Sequence, residues 1–348
     1  MKYKLLGKSG LRVSEICLGT MTFGEEWGWG ATKAESKKIF DAYASAGGNF
    51  IDTANLYTNG SSEKFVGEFI SSATDREHFV LATKYSLTTR NGDPNACGNH
   101  RKNLVQAIDA SLERLGTDYI DLYWLHAWDF LTPVEEVMRA LDDLVRAGKV
   151  LYIGISDTPA WVVSRANMLA ELRGWTPFVA LQIEYSLVER TPERELLPMA
   201  RELDLAVTPW APLGAGILTG KYSRESAFPN GTRLKNDSPK LNERNLKIAA
   251  AVDKVADEIG CSSAQVALNW LRQQAGVIVP IVGATKASQL KENLKCLDYS
   301  LSDEQLERLS QASEVELGFP HEFLKRPRIQ EIIYGGTCEQ IENHRTRG

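Results

Sequence analysis

Four residues in the N-terminal part of the chain could do chemistry together: Asp52, Tyr57, Lys84 and His126. Asp52, Lys84 and His126 stand at the ends of successive β-branched and aromatic runs, and Tyr57 follows Asp52 in the same connecting loop. If those runs are neighbouring strands, the four side chains meet on one rim. An ammonium beside a phenol favours the phenolate and lowers the tyrosine pKa from its unperturbed value of about 10. A carboxylate keeps that ammonium charged in a dry site, and an imidazole can donate a hydrogen bond to a carbonyl oxygen. The set suits proton delivery to a carbonyl that is becoming an alkoxide. Singly, each residue has an ordinary explanation as an ion pair, a rim histidine or a packing tyrosine. Their combination carries the chemistry.

The elements that must position them read as strands at Glu15–Met21, Phe50–Ala54, Phe79–Lys84, Tyr119–His126, Val150–Ser156, Val179–Ser186, Leu205–Leu213 and Val277–Gly283. Several are almost continuously apolar, as expected of strands covered on both faces of a parallel sheet. Between them the periodicity predicts amphipathic helices, among them Lys102–Leu115 and Val134–Ala147, the latter stopped by Gly148. Eight βα units make a (β/α)8 barrel, a TIM barrel, with an open doubly wound sheet as the alternative. Additional helices are expected near the C-terminus: Glu243–Ile259 and Ser263–Gln274 before the last strand, then Ala287–Lys295 and Asp303–Gln311 after it. No domain boundary shows, so residues 1–348 read as one domain with a C-terminal tail from about Gly318.

The 348 residues include 40 Lys and Arg against 45 Asp and Glu, a net charge of −5 without the concentrated basic stripe that nucleic-acid binding needs. No run approaches the roughly 20 apolar residues of a membrane span, and no signal-like core follows the first residues, so a cytoplasmic protein is expected. Five scattered cysteines show no paired spacing, which speaks against a disulfide framework and a zinc site. Gly28-Trp29-Gly30-Ala31-Thr32-Lys33 lacks the last glycine of a dinucleotide fingerprint. Gly214-Ala215-Gly216-Ile217-Leu218-Thr219-Gly220-Lys221 has the wrong spacing for a phosphate loop, and Tyr222 stands where its hydroxyl residue belongs. Asn230-Gly231-Thr232 matches a glycosylation acceptor that a cytoplasmic chain would not use. His78, His100, His321 and His344 read as structural or exposed.

Over residues 1–315 the chain resembles an aldo-keto reductase. The resemblance is carried by Leu18-Gly19-Thr20-Met21-Thr22-Phe23-Gly24, Phe50-Ile51-Asp52-Thr53-Ala54-Asn55-Leu56-Tyr57, Ala82-Thr83-Lys84, Asp121-Leu122-Tyr123-Trp124-Leu125-His126 and Thr208-Pro209-Trp210-Ala211-Pro212-Leu213, with Pro280-Ile281-Val282-Gly283 downstream. It implies a catalytic tetrad of Asp52, Tyr57, Lys84 and His126, with Tyr57 as general acid, and NADPH, or else NADH, extended across the barrel rim without metal. By the same resemblance Thr20, Met21 and Asp52 border the nicotinamide and its ribose, Ser156, Asp157 and Gln182 hold the carboxamide, and Trp210 stacks on the ring. Ala211, Pro212, Leu213, Gly214, Gly216 and Lys221 follow the pyrophosphate, and Gly283, Thr285, Lys286, Gln289, Glu292 and Asn293 meet the adenosine end. Asp157 stands where the family commonly has Asn, and Lys286 offers a point charge where many relatives carry Arg.

Trp27, Trp29, Trp128 and Phe130 fall in loops on the expected active face and could wall an apolar pocket, so aryl and other hydrophobic carbonyl compounds are the expected substrates. The alternatives are a cofactor-binding regulatory subunit of a partner protein, and a barrel hydrolase or isomerase using Asp52 and His126. No apolar surface stripe indicates an oligomeric state.

Overall fold

The inward-facing positions of the eight expected strands determine the architecture. The computed structural model describes residues 1–73, 75–224, 234–235 and 237–342; His344 and the Asn230-Gly231-Thr232 motif lie outside them. The strands are β1 (Tyr3–Leu5), β2 (Arg12–Ser14), β3 (Cys17–Gly19), β4 (Phe50–Asp52), β5 (Val80–Tyr85), β6 (Ile120–Leu125), β7 (Val150–Ser156), β8 (Phe178–Glu184), β9 (Ala206–Trp210) and β10 (Ile281–Val282). β10 and β3 to β9 form one parallel sheet in the order β10-β3-β4-β5-β6-β7-β8-β9. The stretch just before β10 closes it against β9: Val207 N donates to Val277 O at 2.7 Å, and Val279 N donates to Val207 O at 2.8 Å. The sheet is therefore a (β/α)8 barrel, and the open doubly wound alternative does not apply.

Strand side chains alternate between two faces. Phe50, Val80, Ala82, Leu122, Trp124, Ala180 and Ala206 point into the barrel and pack with one another. Ile51, Leu81, Tyr123, Leu125, Ile153, Ile155, Leu181, Ile183 and Val207 face the surrounding helices. Following the inward alternation along each strand leads to Asp52, Lys84, His126, Ser156, Gln182 and Trp210, at or near the C-terminal ends of their strands. Gly154 fits this packing because a Cβ there would come within 2.3 Å of the Trp124 indole.

A feature absent from the sequence reading is the antiparallel hairpin of β1 and β2, which pair from Tyr3 with Ser14 to Leu5 with Arg12. Its Leu6 and Val13 are wholly buried against Phe50, Val80 and Val279, closing the N-terminal end of the barrel. The expected helices form with ends displaced by at most two residues, for example Arg101–Leu115, Val134–Arg146 and Ser263–Arg272. Ser262 and Ser302 start their helices through capping boxes with Gln265 and Gln305. Gly116, Gly174 and Gly260 end helices in the left-handed conformation. The helix Val134–Arg146 buries Val134, Val137, Met138, Leu141 and Leu144 at helical spacing against the sheet, and each wholly buried leucine contributes about 1.5–3 kcal/mol relative to exposure. The tail beyond Gly318 forms short helices at His321–Leu324 and Pro327–Tyr334. Among the described residues, no helix is long and apolar enough to cross a membrane.

Candidate active site

Register brings the four residues singled out above to one floor. Asp52 ends β4, Lys84 lies on the adjacent β5 and His126 follows β6. Lys84, wholly buried, donates from Nζ to Asp52 Oδ2 at 2.5 Å, to the Thr53 carbonyl at 2.9 Å and to the Tyr57 hydroxyl at 3.0 Å. The other Asp52 oxygen accepts from Gln182 Nε2 at 3.0 Å. The Tyr57 ring meets the His126 ring edge to face, with centroids 5.9 Å apart. His126 Nδ1 is buried and has no hydrogen-bond partner.

The turn that presents Tyr57 is unusual. Thr58 and Asn59 both have left-handed backbone, with φ of 46° and 55°, a costly conformation for β-branched threonine. Side-chain bonds hold it: Thr58 Oγ1 donates to the Phe23 carbonyl at 2.6 Å and accepts from Ser62 N at 3.1 Å.

Electrostatics separate the roles these groups can take. Burial alone would drive the Lys84 pKa down, but the Asp52 charge and the bonds to Asp52 and Tyr57 outweigh it and push the value up to about 12. Burial, then the Lys84 charge, holds His126 well below its ordinary 6.5, so its imidazole is neutral at neutral pH. For Tyr57 the expected lowering does not appear. Burial raises its pKa above the ordinary 10, and the opposing Lys84 charge only partly offsets that. The phenol is thus protonated at neutral pH, as a proton donor must be.

Asp52, Tyr57 and His126 line a cavity of about 520 Å³, within the roughly 300–1,000 Å³ usual for small-molecule sites, and Lys84 lies buried behind Tyr57. Thr20, Met21, Asp52, Ser156, Asp157, Gln182, Trp210, Ala211, Pro212, Leu213, Gly216 and Gly283 all line it, as does Trp27. Gly214 is buried just behind the wall, and a Cβ on Gly216 would come within 2.6 Å of the Lys221 ammonium. Thr285, Lys286, Gln289, Glu292 and Asn293 lie outside the cavity, the first two just before the helix Ala287–Leu294 and the other three along it. There Thr285 N donates to Gln289 Oε1 at 3.1 Å, Glu292 accepts from Gln265 Nε2 at 2.8 Å, and Lys286 is exposed.

The residues present fit a nicotinamide nucleotide. Ser156 Oγ is buried on the cavity wall without a partner, beside the amide of Gln182, which suits a carboxamide. Gly214 and Gly216, with φ of 56° and 97° in the turn Gly214–Thr219, leave room beside the Lys221 ammonium, whose charge suits phosphate oxygens.

Of the four aromatic residues expected to wall the pocket, Trp27 does so. Its ring meets Tyr57 edge to face at 6.4 Å and packs on Trp29 at 5.8 Å. Trp128 and Phe130 do not join that wall. They line a separate shallow hollow with Leu131 and Trp161. The cause is Asp129, whose carboxylate accepts from Asn99 N, Leu131 N and Thr132 N, while Phe130 turns outward with φ of 58°. Leu56, Leu87 and Lys240 also line the cavity and were missed. Leu56 and Leu87 each lie just beyond a strand end, a legible signal, whereas Lys240 arrives from a distant loop and reaches Glu184 at 2.9 Å.

Residues 15–314 match the model of the Aldo/keto reductase family. An aryl-alcohol dehydrogenase (NADP(+)) of Phanerodontia chrysosporium is 41% identical over 329 residues, covering 90% of this chain and 86% of its own. A norsolorinic acid reductase of Aspergillus flavus is 38% identical over 345 residues, covering 97% and 87%. Another, from Emericella nidulans, is 41% identical over 325 residues, covering 91% and 82%.

Proposed function

The chain belongs to the aldo/keto reductase family and is an NAD(P)H-dependent oxidoreductase, and from that premise we propose that it reduces aryl and other hydrophobic aldehydes or ketones to alcohols with NADPH, reversibly. One observation carries the reading: a protonated phenol, Tyr57, hydrogen-bonded to a buried ammonium, Lys84, at the floor of a cavity walled by Trp27. Ser156, Gln182 and Trp210 would hold a nicotinamide, which would supply the hydride for the carbonyl carbon.

The protein's own groups do the rest. Tyr57 gives its hydroxyl proton to the carbonyl oxygen, and Lys84 stabilises the phenolate that remains. Asp52 keeps Lys84 charged and, through Gln182, ties the ammonium to the carboxamide side of the cavity. Neutral His126 donates a ring N–H to the same carbonyl oxygen and so orients it beside Tyr57. Apolar Met21, Leu56, Leu87 and Trp27 exclude water and favour a flat hydrophobic substrate. Preference for NADPH follows from the Lys286 charge at the adenosine end and matches the name of one relative. The hydrogen-bonded chain Asp52–Lys84–Tyr57, with the His126 ring against Tyr57, favours turnover over a purely regulatory role.

The direct test is Tyr57→Phe. It should leave NADPH binding intact while lowering carbonyl reduction about 10²–10⁴-fold, the usual worth of a positioned acid. Turnover near that of the unaltered protein rejects Tyr57 as the donor.

A further inference from the structure

At the exit of β7 the chain makes a turn that few residues accept. Asp157 has φ of +40°, and aspartate is among the residues that visit this region most readily. Two backbone bonds pin it there: Asp157 N donates to the Gln182 carbonyl at 3.2 Å, and the Asp157 carbonyl accepts from Trp128 N at 3.4 Å. The turn aims the carboxylate across the end of β8 towards β9, where Asp157 Oδ1 accepts from Trp210 Nε1 at 3.0 Å. Immediately after Trp210, Ala211 also has positive φ, 50°. Both strand exits are therefore bent where this bond joins them, and both side chains line the cavity.

We infer that Asp157 is a positioning residue for Trp210, fixing the plane of the indole against which the nicotinamide rests. This rests on the reading of the cavity as a nicotinamide site and assigns Asp157 a task other than donating to the carboxamide. An ionised carboxylate has no proton to donate, and one of its oxygens is already engaged. Indole Nε1 is a lone donor, and once it is tied the two side-chain torsions of tryptophan are set. Turning the ring would forfeit this bond, so the bond selects one orientation of the indole. A bond to a carboxylate is also stronger than one to a neutral acceptor. Burial raises the Asp157 pKa, although the Trp210 bond and the Lys84 charge act the other way; an acceptor oxygen persists in either protonation state. The geometry thus calls for an oxygen at residue 157, not for a charge.

The test compares Asp157→Asn, Asp157→Ala, Trp210→Phe and the Asp157→Ala/Trp210→Phe pair. NADPH dissociation constants come from fluorescence titration, and near-ultraviolet circular dichroism of the nucleotide-free proteins reports indole orientation. Far-ultraviolet spectra check that each variant folds. Asp157→Ala should weaken NADPH binding about tenfold, as loss of a hydrogen bond to a charged group does, and should alter the dichroism band that Trp210→Phe removes. Asp157→Asn, which keeps a neutral acceptor oxygen, should retain part of the bond and lose only about threefold. The double variant should bind no more weakly than Trp210→Phe alone, because the two residues act as one unit. Additive losses, or Asp157→Asn as weak as Asp157→Ala, overturn the assignment. If the unaltered protein does not bind NADPH, the nicotinamide reading of the cavity falls, and this role falls with it. Binding by the original protein with no effect of Asp157→Ala overturns the positioning role alone.

Discussion

The Lys84 ammonium is 3.0 Å from the Tyr57 hydroxyl and 2.5 Å from an Asp52 oxygen, so one buried cation serves two partners of different acidity. The carboxylate makes the cation affordable in a dry site, and the cation in turn makes a phenolate tolerable after proton transfer. Lys84→Met removes the cation and strands Asp52. The expected cost is about 3–5 kcal/mol of stability, the penalty for an unpaired buried charge. Asp52→Asn combined with Lys84→Met should regain most of that stability, because no charge is then left unpaired. Turnover should stay at least about 10²-fold down in both. Urea unfolding and a carbonyl-reduction assay measure the two effects separately.

The same pair predicts the pH profile. Burial holds the Tyr57 pKa above 10, with Lys84 only partly opposing it. With Tyr57 as the proposed proton donor, carbonyl reduction should be flat through neutral pH and fall only above pH 10. Alcohol oxidation, which uses the phenolate, should rise as pH increases over the same range. Initial rates measured in both directions check this, and a reduction limb that falls below pH 8 contradicts it.

His126 predicts how acid affects stability. Its folded pKa lies well below the ordinary 6.5 because burial, then the Lys84 charge, disfavours the imidazolium. Below pH 6.5 the unfolded chain takes up a proton that the folded chain refuses. The contribution is therefore present above pH 6.5 and is lost as pH falls towards the folded value, at up to about 1.4 kcal/mol per pH unit. His126→Gln cannot titrate, so the stability difference between the two proteins should change with pH below 6.5 and stay constant above it. Thermal or urea unfolding at a series of pH values measures that difference.

How much was legible beforehand follows from how locally each feature is encoded. The barrel strands were readable because strands covered on both faces become apolar runs, as in Phe178-Val179-Ala180-Leu181. The meeting of Asp52, Tyr57, Lys84 and His126 was readable because residues at strand ends come together once the sheet closes. The β1–β2 hairpin escaped notice because its strands are three residues long and only Leu6 and Val13 mark their buried side. Trp128 and Phe130 were misplaced because their direction depends on Asp129, which gathers backbone amides from its own loop and from Asn99. The sign of the Tyr57 shift compares burial with a neighbouring charge, and residue order does not encode that balance.

The remaining prediction concerns substrate selection by Trp27. Its loop is clasped to the Tyr57 turn at two points: Thr58 Oγ1 donates to the Phe23 carbonyl at 2.6 Å, and Ser61 Oγ donates to the Glu26 carboxylate. Whatever holds Tyr57 in place therefore also holds the Trp27 ring, edge to face with it at 6.4 Å. An aromatic carbonyl compound lying against the exposed side of the Trp27 ring in the cavity gains a ring contact worth about 0.5–1.5 kcal/mol, which an aliphatic compound of the same length does not. Trp27→Ala should therefore lower kcat/KM about 3–10-fold for aryl aldehydes and little for straight-chain aldehydes, with NADPH affinity unchanged. Equal losses for both classes would show that Trp27 supports the turn and does not read the substrate.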